Sequence, residues 1–242
     1  MCRRARLNAL ANLLPLALWR PWIRWQSQRL SPQLPAPLRD YYQGVADAVT
    51  GNIAEAKLLA LDLELTALTP DKGEIVSVGC VPIDNLGIQL AGAQQWIVQP
   101  KGGVGESAVH HQLTDTAVNA GEALAGVLPK LLQQAEGRIL LIHHAELDLA
   151  FIRQALQAEY GLVPPLPAID TMHLAAAIQR YHHPEQPPNR LRLSELRQDY
   201  QLPAHHGHQA LTDAIACAEL FFAQLSHRYQ QAPDVSALLS AR

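Results

Sequence analysis

Two acids separated by one leucine, Asp62-Leu63-Glu64, lie inside the leucine-rich run KLLALDLEL. The run is short and ends in polar and turn residues, so it reads as a buried strand. In a strand, residues i and i+2 share a face. Asp62 and Glu64 therefore point together, while Leu61, Leu63 and Leu65 point the other way into apolar packing. Carboxylates side by side repel, which raises one pKa and costs stability unless a cation compensates. A hard divalent ion with oxygen ligands is the usual compensator, and a strand end with solvated acids is the alternative. A third acid, Asp148, opens the helical stretch LDLAFIRQAL, where it could equally complement the helix dipole. His208 and Asp213 are five apart, about 140° around a helix, so they do not share a helical face. A loop histidine after Gly207 can instead lean over a site that Asp213 enters from the helix.

The elements that must position these groups follow from hydrophobic periodicity. After KLLALDLEL, the segment GEIVSVGCVPID carries β-branched residues at Ile75, Val76, Val78 and Val81 and GIQLAGAQQWIVQP makes a third strand, so 57–99 reads as an antiparallel meander. EALAGVLPKLLQQAEG is helical despite Pro129, RILLIHHA is a fourth strand, and LDLAFIRQALQAEYG is a helix. PAIDTMHLAAAIQRY pairs a brief strand with a helix, for which Asp170 is the N-cap. LRLSELRQDYQL and HQALTDAIACAELFFAQLSHRY are helical, and residues after about 230 read as frayed. The expected class is α/β, a central mixed β-sheet flanked by α-helices on both faces.

Composition sets the boundaries. Of 242 residues, 48% are hydrophobic and 17% charged, which excludes wholesale disorder, collagen-like repetition and a coiled-coil rod. No stretch of about 18 apolar residues reads as a membrane span. Residues 1–39 hold seven arginines and no acid, leaving 12 basic against 22 acidic residues in 40–242, a balance of -10. So acidic a domain cannot hold a polyphosphate by general surface charge, and nucleic-acid chemistry there needs metal ions at a local site. The chain divides into a basic extension over 1–39, bearing Trp19, Trp22 and Trp25 and ending in a proline-rich linker, a domain over 40–230 and a tail over 231–242. The extension reads as a helical arm packed on its own domain, with a transit peptide, an interfacial membrane anchor or a helix for a protein partner as the alternatives. Cys2, Cys80 and Cys217 form no disulfide framework and suit buried positions in a reducing compartment, so the cytoplasm is expected. The histidine pairs 110–111, 182–183 and 205–206 lack the spacing of a closed zinc site and default to solvated loops.

Taken in order, LALDLELTAL, the HHQLTD run, LLIHHAELDLAFIRQAL, IDTMHLA and HHGHQALTDAIACAELF resemble the DEDDh family of 3′–5′ exonucleases. The similarity is to the branch like the epsilon subunit of DNA polymerase III, and it covers about 57–225. Several spaced motifs in one order are far more specific than any one alone. The resemblance implies an RNase H-like fold, with Asp62, Glu64, Asp148 and Asp213 as metal-binding carboxylates and His208 as general base. It also implies two Mg²⁺ or Mn²⁺ ions, which bind the scissile phosphate, activate water and stabilise the leaving 3′ oxygen. Imidazole suits proton acceptance near neutral pH. The family's D-x-E-T-T-G is departed from at Leu65 and Ala67 while Thr66 stays, and the usual His-Asn before the second acid is His143-His144. Leu65, Thr66, His111 and His144 are the implied substrate-binding positions. The expected activity is release of nucleoside 5′-monophosphates from single-stranded DNA or 3′ ends. RNA 3′-end trimming resembling oligoribonuclease, or a non-catalytic recruitment module, are the alternatives.

Overall fold

The structure, a computed structural model, describes Pro21, Trp22, Trp25 and residues 34–101, 120–205 and 207–240. The rest of the basic extension and the HHQLTD run, His111 included, lie outside the described residues. Helix α1 (Ala36–Ala48) precedes strands β1 (Lys57–Leu65), β2 (Ile75–Asp84), β3 (Gly87–Ile88) and β4 (Gln94–Ile97). Then come α2 (Leu124–Gln134), β5 (Ile139–Ile142), α3 (Ala145–Tyr160), β6 (Ala168–Asp170), α4 (Thr171–His182), α5 (Leu193–Asp199) and α6 (Ala210–Arg228).

The strands form one mixed sheet in the order β3-β2-β1-β5-β6, with β4 also on β2. β1 pairs antiparallel with β2 and parallel with β5, and β5 pairs parallel with β6. The meander expected over 57–99 holds with one change. Its third strand is split by a 3-10 turn at Leu90–Gly92 into β3 and β4, which pair with opposite ends of β2. α2 runs through Pro129. Leu61 faces a small cavity walled by Tyr41, Leu128, Leu132 and Ile152, so α1, α2 and α3 cover one face. The other face belongs to α6, which buries Ala214, Cys217, Ala218, Phe221 and Leu225 at helical spacing in the core shared with β1 and β2. Cys80 and Cys217 are buried free thiols.

Residues 231–240 do not fray. Asn52 bridges to Asp234 and donates its side-chain amide to Ala232 O at 2.7 Å, Val235 is fully buried, and Ser240 N–H bonds Ala168 O at 2.9 Å. The apolar pair Val235 and Leu238 joins the main core, a burial that a polar-looking segment conceals. Among the described residues no helix is long and apolar enough to cross a membrane.

One glycine decides how closely α6 lies on the sheet. Gly79 of β2 stands opposite Asp62 of β1, and a methyl group there would sit inside the backbone of Ala210 and Leu211 at the start of α6. Backbone cannot be displaced as a flexible side chain can, so the helix start would have to lift. Gly79→Ala is expected to lower the melting temperature by about 2–12 °C, from an overpacking cost of roughly 1–3 kcal/mol. Thermal denaturation reads this, and an unchanged midpoint contradicts it.

Candidate active site

β1, β5 and β6 are parallel and finish at the same sheet end, where crossover connections open a crevice. Asp62 and Glu64 lie near the end of β1. Asp148 follows β5 in the first turn of α3, and Asp213 stands in the first turn of α6, which covers this face. One carboxylate oxygen from each of Asp62, Glu64 and Asp213 falls within 4.8 Å of the others. Asp148 is outside that triplet, yet its charge reaches both Asp62 and Glu64, and it is 4% exposed. The structure therefore gathers all four acids at one place.

Their electrostatics are unfavourable as they stand. Burial pushes the Asp62 carboxyl well above the ordinary carboxylate range, and the charges of Asp148, Asp213 and Glu64 push it further. Burial, then Asp170 and Glu64, raises Asp148 in the same way. Asp213 is also raised by burial, with the His208 N–H and His205 acting in the opposite direction. The triplet offers three carboxylate oxygens, a donor set that suits a hard divalent ion.

Asp148 owes its place to a residue the sequence presents only as a cap. Asp170 caps α4 as expected, accepting the N–H groups of Met172 at 2.9 Å and His173 at 3.3 Å. Its carboxylate also accepts His144 N–H at 3.0 Å and Ala145 N–H at 2.9 Å, at the start of α3. One buried carboxylate thus closes the N-termini of two helices, which holds the first turn of α3 and Asp148 with it. His143 beside it is enclosed. Its Nδ1 lies 2.8 Å from Thr171 Oγ1 and its Nε2 3.0 Å from Leu191 O. A carbonyl must be given a proton, so Nε2–H donates and Nδ1 accepts from the threonine. Burial holds the imidazole neutral, with its pKa down to about 4.

His208 has φ +70 and an exposed ring, and its N–H donates to Asp213 Oδ2 at 2.8 Å. The left-handed backbone lets the loop turn so that this bond forms and the ring stays beside the acid. His205, expected in a solvated loop, is instead only 12% exposed in its side chain. Its Nε2 stands 3.0 Å from Asp213 Oδ1. No spacing signal distinguishes it from His206. Gly79 was also missed, although a glycine interrupting a β-branched strand is a mark of close backbone approach.

The implied substrate positions stand in different settings. Thr66 stands at the border of an open groove with Lys72, Lys101, Phe151 and Gln154, and its Oγ1 accepts Glu74 N–H at 2.8 Å. His144, at φ +71, is exposed at the start of α3. Leu65 is 8% exposed and packs in the main core. The strand alternation and the irregular register after Glu64 turn it inward.

The profile of the exonuclease family RNase_T matches residues 59–221. A PolC-type DNA polymerase III of Caldanaerobacter subterraneus is 28% identical over 174 residues, which cover 71% of this chain and 12% of the relative. A DNA polymerase III subunit epsilon-like protein of Rhodobacter capsulatus is 31% identical over 169 residues, 67% of this chain and 23% of that protein. The chain thus spans about an eighth of the PolC-type relatives. Among solved structures, the nuclease domain of 3'hExo, a DEDDh family member bound to rAMP, superposes with a TM-score of 0.60 at 15% identity, covering 76% of this chain and 98% of that one. E. coli exonuclease I in complex with a dA16 oligonucleotide gives 0.59 at 14%, over 72% and 41%. The fold is RNase H-like, as its sheet order and neighbours agree.

A carboxyl with a raised folded-state pKa imposes no penalty below its ordinary value of 3.8, and one that grows as pH rises from there to the raised value and then levels off. His143 opposes this only below its ordinary 6.5, where the folded state refuses a proton that the unfolded chain accepts. In chelator, Asp62→Asn should therefore melt above the parent by a margin that widens from about pH 5 to about pH 8, reaching about 3 °C. Saturating Mn²⁺ should reverse the order. A margin independent of pH contradicts the charge cluster.

Proposed function

Because this chain belongs to the exonuclease family whose profile spans residues 59–221, we propose that it is a divalent-metal-dependent 3′–5′ exonuclease. Its substrates are single-stranded DNA or 3′ ends, its products are nucleoside 5′-monophosphates, and two ions serve the reaction. The observation that carries this reading is the triplet of carboxylate oxygens from Asp62, Glu64 and Asp213 within 4.8 Å, with buried Asp148 beside it. Mg²⁺ or Mn²⁺ bound there would offset the clustered charge, polarise the phosphodiester and lower the pKa of the attacking water.

The chain's own residues do the rest. Asp62, Glu64, Asp148 and Asp213 hold the ions, and Asp170 keeps the helix of Asp148 in place. His208 receives the proton of the attacking water, its ring kept beside Asp213 by the backbone bond to that carboxylate and open to solvent for delivery. Thr66 Oγ1 is occupied as an acceptor, so its hydroxyl proton is the part available to the terminal nucleotide. His144, exposed next to the helix of Asp148, faces the departing strand.

E. coli exonuclease I is described with dA16, which supports DNA as substrate. The 3'hExo nuclease domain is described with rAMP, and that favours RNA trimming as the second reading. Only contacts to the 2′-OH separate the two.

Asp62→Ala and Asp213→Ala are each expected to abolish Mg²⁺-dependent mononucleotide release from an end-labelled oligonucleotide. Undiminished turnover in either variant overturns the assignment. His208→Gln should lower kcat about 100-fold with little change in KM and flatten the acidic limb of the pH–rate profile. Survival of that limb removes the base role. On matched oligonucleotides the DNA should be hydrolysed at least about tenfold faster than the RNA, and the inverse ratio would make the chain an RNA trimmer. No hydrolysis of either with Mn²⁺ would leave only the recruitment role.

A further inference from the structure

At the far end of α6 from Asp213, an open cleft of about 510 Å³ is walled by Tyr181 and His182 of α4, Tyr200 after α5, and His227, Arg228 and Tyr229. Three tyrosines and three nitrogen-bearing side chains converge there in a chain with few aromatic residues. The Arg228 guanidinium lies over the Tyr181 ring at 5.0 Å and over the Tyr229 ring at 5.7 Å. Tyr200 and His227 meet edge to face at 5.1 Å. Tyr181 is 70% exposed. Among the described residues no carboxylate pairs with Arg228, and Asp199 beside Tyr200 is taken by Arg190 at 3.2 Å.

Cations in the last turns of α4 and α6 complement the helix dipoles, which would explain Arg228 and His227 but not the exposed rings around them. The same dipoles put partial negative charge at the cleft and disfavour a phosphate seated in it. A planar, neutral, π-faced group is what this lining fits: it stacks on tyrosine, and its edges meet the guanidinium.

We propose that the cleft is a stacking platform for unpaired bases of the substrate strand, upstream of the 3′ end being hydrolysed. This rests on the nuclease reading. Asp213 and Arg228 are 15 residues apart on one helix, about 22 Å. A stacked strand rises roughly 3.4 Å per nucleotide and so covers that distance in about seven nucleotides. The domain's acidic surface gives the rest of such a strand little hold, so base stacking is the means by which a long substrate gains affinity over a short one.

Fluorescence anisotropy of the full chain in chelator, with four- and twenty-nucleotide oligo-dT, tests this. The parent should bind the 20-mer at least about tenfold more tightly than the 4-mer. Tyr181→Ala and Arg228→Ala should each weaken 20-mer binding about tenfold and leave both 4-mer binding and Mn²⁺-dependent 4-mer hydrolysis unchanged. Tyr181→Phe should retain parental binding, since the stacking face survives. If the parent hydrolyses the 4-mer and the variants bind the 20-mer as the parent does, the platform is overturned and the face is left to a protein partner. If the parent releases no nucleotide from either oligomer, the nuclease reading fails and the platform with it.

Discussion

Carboxylates do not gather in a low-dielectric interior of their own accord. Each loses hydration, each repels the others, and the unfolded chain offers them water and distance instead. Here Asp62, Glu64, Asp148 and Asp213 are held together against both penalties. The rest of the fold is arranged around that confinement, because hydrophobic burial elsewhere must exceed what the cluster costs. A divalent cation turns the same arrangement from a liability into a binding site.

The confinement is enforced by backbone more than by side-chain contacts. Glu64 and Asp62 are on β1, the inner strand clasped by β2 and β5, where register leaves them no freedom to turn away. Gly79 lets the start of α6 settle onto β2 directly opposite Asp62, which delivers Asp213. Asp170 ties the starts of α3 and α4 through four backbone N–H groups, which fixes Asp148. Replacing one acid leaves this frame standing, whereas altering Gly79 or Asp170 moves the acids themselves.

Most of this was legible in the chain because its signals are local. The alternation in KLLALDLEL foretells the shared face of Asp62 and Glu64, and the helical period of α6 foretells which side packs. The illegible parts depend on tertiary approach. His205 reads as one of several loop histidines, and only the tertiary fold lays it against Asp213. Asp170 reads as a cap for one helix because its second helix begins 25 residues earlier in the chain. Leu65 follows the strand alternation into the core, as the pattern in KLLALDLEL foretells. The tail reads as frayed because it is short and carries no helical or strand period to detect, although Val235 and Leu238 are buried.

The central claim is that these oxygens are a seat for divalent metal. Anomalous diffraction from a crystal of the full chain soaked with Mn²⁺ and a nucleoside 5′-monophosphate tests it most directly. The account predicts two manganese peaks coordinated by Asp62, Glu64, Asp148 and Asp213, with the phosphate bound to both. Manganese found elsewhere, or no peak among these four carboxylates, would contradict it.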